Sequence, residues 1–335
     1  MTEPSKPKLT EADIPEVLQR AEPFLRYPMS PLYLMRSIVF GVILVPIRLS
    51  LFISSMFIAG FVFYIGHFTN SDTLAFGAMR FWGKFAVYCL GIVPEVTADS
   101  SAPSPQEITN TSYVIVADHI SFVEVLYLLS MYLPAFVGKV PLKKTPLIGD
   151  CMRHLDCIFV NRLIGKKATS TTELLEAHVT KSDNLRPLLL FPEGTTSNGL
   201  GLISFHTGAF CLGKPVLPVI IWYPNFVRGQ QFDPHWSYGS IIPFILGMMA
   251  QPYTTMRVHV MAPVACRDGE SPREFAERVR GLMGEKIGIP LLDGDYKDKV
   301  RLNKLVEAGI LNDDEVYQYA KDSMLKRRRR RSKRD

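Results

Sequence analysis

The chain changes its pattern of apolar and polar positions twice. Residues 1–30 are polar, with Pro, Glu and Lys interspersed. Apolar residues then dominate from Ser37 to Phe68, interrupted at Pro46 and Arg48, and Leu49–Phe68 holds twenty residues without Asp, Glu, Lys or Arg. As a helix that stretch is about 30 Å long, the thickness of a bilayer core. Two arrangements fit it: one spanning helix from about Leu49, or a re-entrant pair of shorter helices hinged near Pro46 and Arg48. Its basic flanks, Arg20, Arg26 and Arg36 before and Arg80 and Lys84 after, are too balanced to orient it. Leu74–Val93 mixes aromatic and apolar residues with two cations and reads as an amphipathic helix in the membrane interface.

Thr97–Thr111, rich in Ser, Pro and Ala, reads as a linker. Beyond it short apolar runs alternate with helical stretches. Strands are predicted at Tyr113–Ala117, Ala135–Gly138, Asp156–Val160, Pro187–Phe191, Val216–Trp222 and Met256–Met261. Helices are predicted at Val123–Leu133, stopped by Pro134, and at Thr171–Thr180. Ser271-Pro272-Arg273-Glu274 is a capping box with Pro at the first helical position. Val300–Ala320 reads as a helical pair turning near Gly309. Strands alternating with helices predict an α/β domain whose sheet is largely parallel and covered on both faces. The expected organisation is a polar segment (1–30), a membrane-anchoring helical region (31–95), a linker (96–111), a catalytic domain (112–265), a C-terminal helical region (266–324) and a polybasic tail (325–335).

Charge adds one local feature. The net charge of +6 is concentrated in Lys326–Arg334, which holds eight basic side chains; the rest of the chain is close to neutral. No global basic field points to nucleic acid. The tail suits contact with anionic lipids. The five cysteines are scattered, without a CxxC pair or a Cys/His cluster at zinc spacing. Reduced thiols, a catalytic domain facing a reducing compartment and no metal are expected.

Two strings carry candidate chemistry. In Ala117-Asp118-His119-Ile120-Ser121-Phe122-Val123-Glu124, His119 directly follows a predicted strand, where ligands and reactive groups collect in α/β sheets. A neutral imidazole titrates near pH 6.5 and suits a general base. Glu124 suits its orienting acid, but it also completes a capping box with Ser121, in which it would only reach back to the Ser121 amide. In Phe191-Pro192-Glu193-Gly194-Thr195-Thr196-Ser197-Asn198-Gly199 a glycine-containing loop follows a buried strand; its backbone N–H groups could hold a phosphate or an oxyanion, and Glu193 could bind a hydroxyl or orient the loop. Arg162, beyond the run Cys157–Val160, is a candidate phosphate fork.

Taken in order, His119…Glu124, Phe159…Arg162, Phe191–Thr195 and Val216–Val219 resemble the four blocks of the glycerolipid acyltransferase family, which includes the bacterial 1-acylglycerol-3-phosphate acyltransferases. The wider sequence from Leu188 to Asn225 is similar to the lysophosphatidylcholine and lysophosphatidylethanolamine acyltransferase branch, where the Glu-Gly-Thr triplet is followed by an Asn, here Asn198. Two departures stand out: Glu124 where most relatives have Asp, and His206 where a Lys is usual.

The resemblance implies an acyltransferase-like α/β domain, with a mixed, largely parallel sheet flanked by helices, behind an N-terminal membrane-embedded helical segment. It implies transfer of an acyl group from acyl-CoA, a co-substrate rather than a cofactor, to the free hydroxyl of a lysophospholipid. His119 and Glu124 would be catalytic; Arg162, Glu193, Gly194, Thr195 and Asn198 would bind substrate. Rival readings are a 1-acylglycerol-3-phosphate acyltransferase, a CoA-independent transacylase, and a membrane-anchored lipid-binding protein with a degenerate fold. The endoplasmic reticulum membrane, with the Golgi as a second site and the catalytic domain in the cytosol, is the expected location.

Overall fold

The computed structural model describes residues 13–26, 29–160, 171–180, 186–224, 232–236, 240–312 and 314–322. Seven strands form one sheet: β1 (Ile92–Ala98), β2 (Val114–Ala117), β3 (Ala135–Lys139), β4 (Ile158–Val160), β5 (Leu188–Leu190), β6 (Val216–Trp222) and β7 (Thr254–Val260). Their spatial order is β1-β7-β6-β2-β5-β3-β4, parallel at every pairing except β6 with β7. The central strands β2, β5 and β6 are apolar at nearly every position, as a sheet buried on both faces requires.

Alternation along those strands sends their side chains to two cores. Ile115, Ala117, Leu217, Val219 and Ile221 pack under α3 (Asp72–Cys89), α5 (Val123–Tyr132) and α8 (Ile241–Met249). Val114, Val116, Val216 and Ile220 pack under α9 (Pro272–Ile287), which begins at the Ser271 capping box. On the β3–β4 side, Leu175 of α7 (Thr171–Thr180) joins Ala135, Ile158 and Leu188.

The N-terminal apolar stretch is one continuous helix, α2 (Pro31–Phe68), running unbroken through Pro46. This replaces the hinge at Pro46 and Arg48 and the start near Leu49. Arg48 acts instead as a clasp. Its guanidinium donates to the carbonyls of Met249 (2.8 Å), Gln251 and Pro252 (2.8 Å), the open end of α8 and the turn after it. Near the start of α2, Ser37 Oγ donates to Gln251 Oε1 (3.0 Å); near its end, Tyr64 Oη donates to Asp150 Oδ2 (2.6 Å) and accepts from the Leu147 amide (3.2 Å). The helix is therefore fastened to the sheet domain at its start, middle and end. The chain then turns at Thr69–Ser71 and returns as α3 along α2. Gly66 permits that turn, since a Cβ there would lie 2.6 Å from the Ala75 nitrogen. The outer side of α2 stays open, with Val39, Phe57, Phe61 and Phe68 all more than 60% exposed. By length and composition the helix is long and apolar enough to cross a membrane.

Two expected boundaries move. The segment read as a linker is built into the sheet domain: β1 is an edge strand paired in parallel with β7, and α4 (Pro105–Thr109) is a short helix with a capping box from Ser104. Ser and Pro there serve the cap and the helix start, not flexibility. The polar start of the chain is also folded in. In α1 (Ile14–Arg20) and the turn after it, Val17, Leu18, Phe24 and Leu25 share a core with Leu302 and Leu305 of α10 (Tyr296–Glu307) and with Leu311 and Val316. Arg20 Nε donates to Asp298 Oδ1 at 2.9 Å across that contact.

Candidate active site

β2, β5 and β6 lie side by side, and their carboxyl ends bring together most of the candidate residues. Val116 of β2 is in register with Leu190 of β5 and Pro218 of β6. Residues 118–121, 191–198 and 223 therefore leave the sheet at one edge, the place where α/β sheets build sites.

His119 and Glu124 meet. His119 Nδ1 lies 3.4 Å from Glu124 Oε2, a long contact. Glu124 sits in the first turn of α5 and is completely buried. The same Oε2 accepts from the amides of Ser121 (2.5 Å) and Ile120 (3.3 Å), so the cap reading and the histidine-partner reading both hold. The capping box is only half formed, because Ser121 Oγ is buried and makes no hydrogen bond. The His119 ring, one-fifth exposed, stacks on Phe191 at a centroid distance of 4.0 Å.

The two strings are also locked through their backbones. The Ser197 amide donates to the His119 carbonyl (2.7 Å), and the His119 amide points at Glu193 Oε1 (3.4 Å). Glu193 is 1% exposed, so it orients the loop rather than receiving a hydroxyl from an open cleft. Burial pushes its carboxyl up to about 8, against hydrogen bonds that pull the other way. Gly194 holds φ +68°, and a Cβ there would sit 2.7 Å from His206 Cδ2. The exposed His206 ring thus lies against the Glu-Gly-Thr backbone. Thr195, partly exposed, stays on the open side of this loop.

Other candidates fall differently. Asn198 is fully buried; its Nδ2 donates to the carbonyls of Glu22 (2.8 Å) and Leu25 (3.2 Å), and its Oδ1 accepts from the Leu200 amide (3.2 Å). It ties the loop to the N-terminal segment, and no group is left to meet a substrate. Arg162 and the Lys326–Arg334 tail lie outside the described residues.

Three further residues join the site without having been singled out by sequence. Asp118 is buried and accepts the Ile221 amide of β6 at 2.7 Å; burial, then the nearby Glu193, push its carboxyl well above the usual range. Its place as a polar residue at the end of an apolar strand was a readable signal. Tyr223 Oη donates to Glu124 Oε1 at 2.8 Å. His235, also buried, lies between the carbonyls of Ile120 (3.3 Å) and Phe24 (3.2 Å). Neither Tyr223 nor His235 has a sequence signal, since the fold alone brings each to the site. Among the described residues no three His, Cys, Asp or Glu side chains converge to hold a metal ion.

The site thus stands on a mostly parallel sheet flanked by helices, with His119–Glu124 after one central strand and Pro-Glu-Gly-Thr after its neighbour. Residues 95–222 match the protein family described as Acyltransferase. A lysophospholipid acyltransferase of Arabidopsis thaliana is 35% identical over 194 residues, which cover 55% of this chain and 47% of that protein. Lysophosphatidylcholine acyltransferase 2 of Rattus norvegicus is 30% identical over 223 residues, 66% of this chain and 40% of that protein. The chain spans about half the length of these relatives, or less. The crystal structure of a 1-acyl-sn-glycerophosphate acyltransferase from Thermotoga maritima has the same fold, with a TM-score of 0.54 at 20% identity over 76% of this chain and 96% of that one.

Proposed function

We propose that this protein transfers a fatty acyl group from acyl-CoA to the free hydroxyl of a lysophospholipid, with lysophosphatidylcholine or lysophosphatidylethanolamine as the preferred acceptor class. The observation that carries the reading is the His119–Glu124 contact, held at 3.4 Å beside the Glu-Gly-Thr loop at adjacent strand ends. The names of the relatives supply the acceptor class.

In this reading Glu124 holds the Nδ1–H, which leaves the Nε2 lone pair of His119 for the acceptor hydroxyl. The hydroxyl oxygen attacks the thioester carbonyl as its proton passes to Nε2. The C–S bond then breaks, and the CoA sulfur leaves with the proton returned from His119. The thioester is already activated, so the chain has only to position and deprotonate an alcohol. The Gly194–Thr195 part of the loop, with Arg162, would hold the phosphoglycerol part of the acceptor. Phe191 supports the flat side of the imidazole.

Both substrates partition into bilayers. The open apolar side of α2 supports a membrane-bound enzyme, and its three fastenings to the sheet domain keep site and membrane in fixed relation. An endoplasmic reticulum location with a cytosolic catalytic domain is part of the proposal. The test is purified full-length protein in detergent micelles with one radiolabelled acyl-CoA and a panel of lysolipids. Labelled diacyl product that requires both acyl-CoA and a choline or ethanolamine lysolipid supports the reading. Transfer without acyl-CoA, or none in wild type, overturns it.

A further inference from the structure

Glu124 has two oxygens, and the His119 relay uses one. Oε2 faces His119 Nδ1 and the amides of Ser121 and Ile120. Oε1 receives the hydroxyl of Tyr223 at 2.8 Å. Tyr223 is the first residue after β6, and the adjoining β2 delivers His119, so two neighbouring strand ends grip the same carboxylate from opposite sides.

We propose that Tyr223 is a positioning residue for the His119–Glu124 pair, and that a glutamate serves in this chain because its length lets one carboxylate reach both the histidine loop and the tyrosine hydroxyl. The proposal rests on the acyl-transfer reading above and adds a residue to it.

The physical case begins with burial. Glu124 is completely inaccessible to water, so every acceptor lone pair must be served by protein. Two other carboxyls, Asp118 and Glu193, lie in the same buried cluster. The titratable neighbours facing it are Asp118 at the end of β2 and Glu193 after β5, with His119 on the open side. Arg280 of α9 acts on Glu193. Within that set Tyr223 is the side-chain O–H that donates to Glu124, and a hydrogen bond to an ionised acceptor is among the stronger kinds. Its removal frees the carboxylate to rotate away from Nδ1 and leaves a buried lone pair unmet. Tyr223 is itself buried, and its hydroxyl proton is held tightly: burial, then the neighbouring Glu124, push the phenol well above its usual range, so it remains a donor.

The geometry also accounts for a departure noted in the sequence. An aspartate at 124 is one methylene shorter. It cannot keep Oε2's contacts with the 119–121 loop and still meet Tyr223 from the same backbone position.

The test is a double-mutant cycle on full-length protein in micelles, with Tyr223→Phe, Glu124→Asp and the pair together. Tyr223→Phe, assayed at a temperature where the variant is folded, is expected to lower kcat about 5–20-fold with KM within about 2-fold. The double variant should be no slower than Glu124→Asp alone, because the shorter acid has already lost the tyrosine. Wild-type kcat in Tyr223→Phe, or multiplicative losses in the double variant, overturns the proposal. A second readout does not need turnover. Selective ¹⁵N labelling of the seven histidines, with the His119 signal assigned by its loss in His119→Ala, should show that signal shifted in Tyr223→Phe. An unshifted signal also overturns the proposal. Should wild type fail to transfer acyl groups, the functional reading falls while this readout still judges the Tyr223 assignment.

Discussion

The His119 imidazole lies flat against the Phe191 ring, 4.0 Å between centroids and 18° between planes, so the first residue of one sequence string is the wall for the reactive residue of the other. They are 72 positions apart in the chain, and one strand pairing, β2 with β5, joins them.

A base at 119 whose acid is also a helix cap makes a separable prediction. His119→Ala removes a partly exposed ring and should lower turnover by about 10²–10⁴-fold with the fold intact. Glu124→Gln keeps a carbonyl oxygen for the Ser121 amide and loses the charge facing His119. It should fold and should lose most of the activity. Circular dichroism beside the acyl-transfer assay checks both variants.

Glu193 makes stability depend on pH. Its folded carboxyl titrates at about 8, against an ordinary 4.5. Between those values the folded state holds a proton that the unfolded state has released, so this group's contribution is full below pH 4.5 and falls as pH rises to 8. Glu193→Gln removes that dependence. Its thermal midpoint should decline less than wild type's between about pH 5 and 8, and parallel declines would count against the buried, protonated Glu193.

Asn198 serves stability. Asn198→Ala takes the amide donor from the carbonyls of Glu22 and Leu25, strands that of the buried Leu25 and frees the Leu200 amide, which should cost about 1–3 kcal/mol. KM for the lysolipid should stay unchanged at a temperature where the variant is folded. Denaturant unfolding and steady-state kinetics decide between this role and substrate binding.

Gly194 is constrained twice, by φ +68° and by the His206 ring against it. Gly194→Ala should lose about 1–2 kcal/mol for the backbone alone and displace the loop, with activity falling more than stability. Adding His206→Ala removes the steric part and leaves the backbone part. Partial recovery of activity in the double variant is the expected result.

The sequence determined much of this protein. Apolar runs of strand length between helical stretches placed β2 to β7 to within about two residues, and β6 and α7 at their observed bounds. The same reading put His119, Glu193 and Gly194 at strand ends, because a strand buried on both faces announces its limits in composition. Local signals failed where one residue type serves two ends. Ser and Pro at 100–105 looked like a linker and proved to cap a helix beside an edge strand. Arg48 looked like a break in a membrane segment and proved to hold the end of α8. Only the tertiary structure decided that Asn198 faces the N-terminal segment, that Tyr223 reaches Glu124 and that His119 rests on Phe191. The physical reason is the same in each case. Helix and strand periods are written in neighbouring residues, whereas the partner of a buried polar group is chosen by strand order and register, which bring together positions dozens of residues apart.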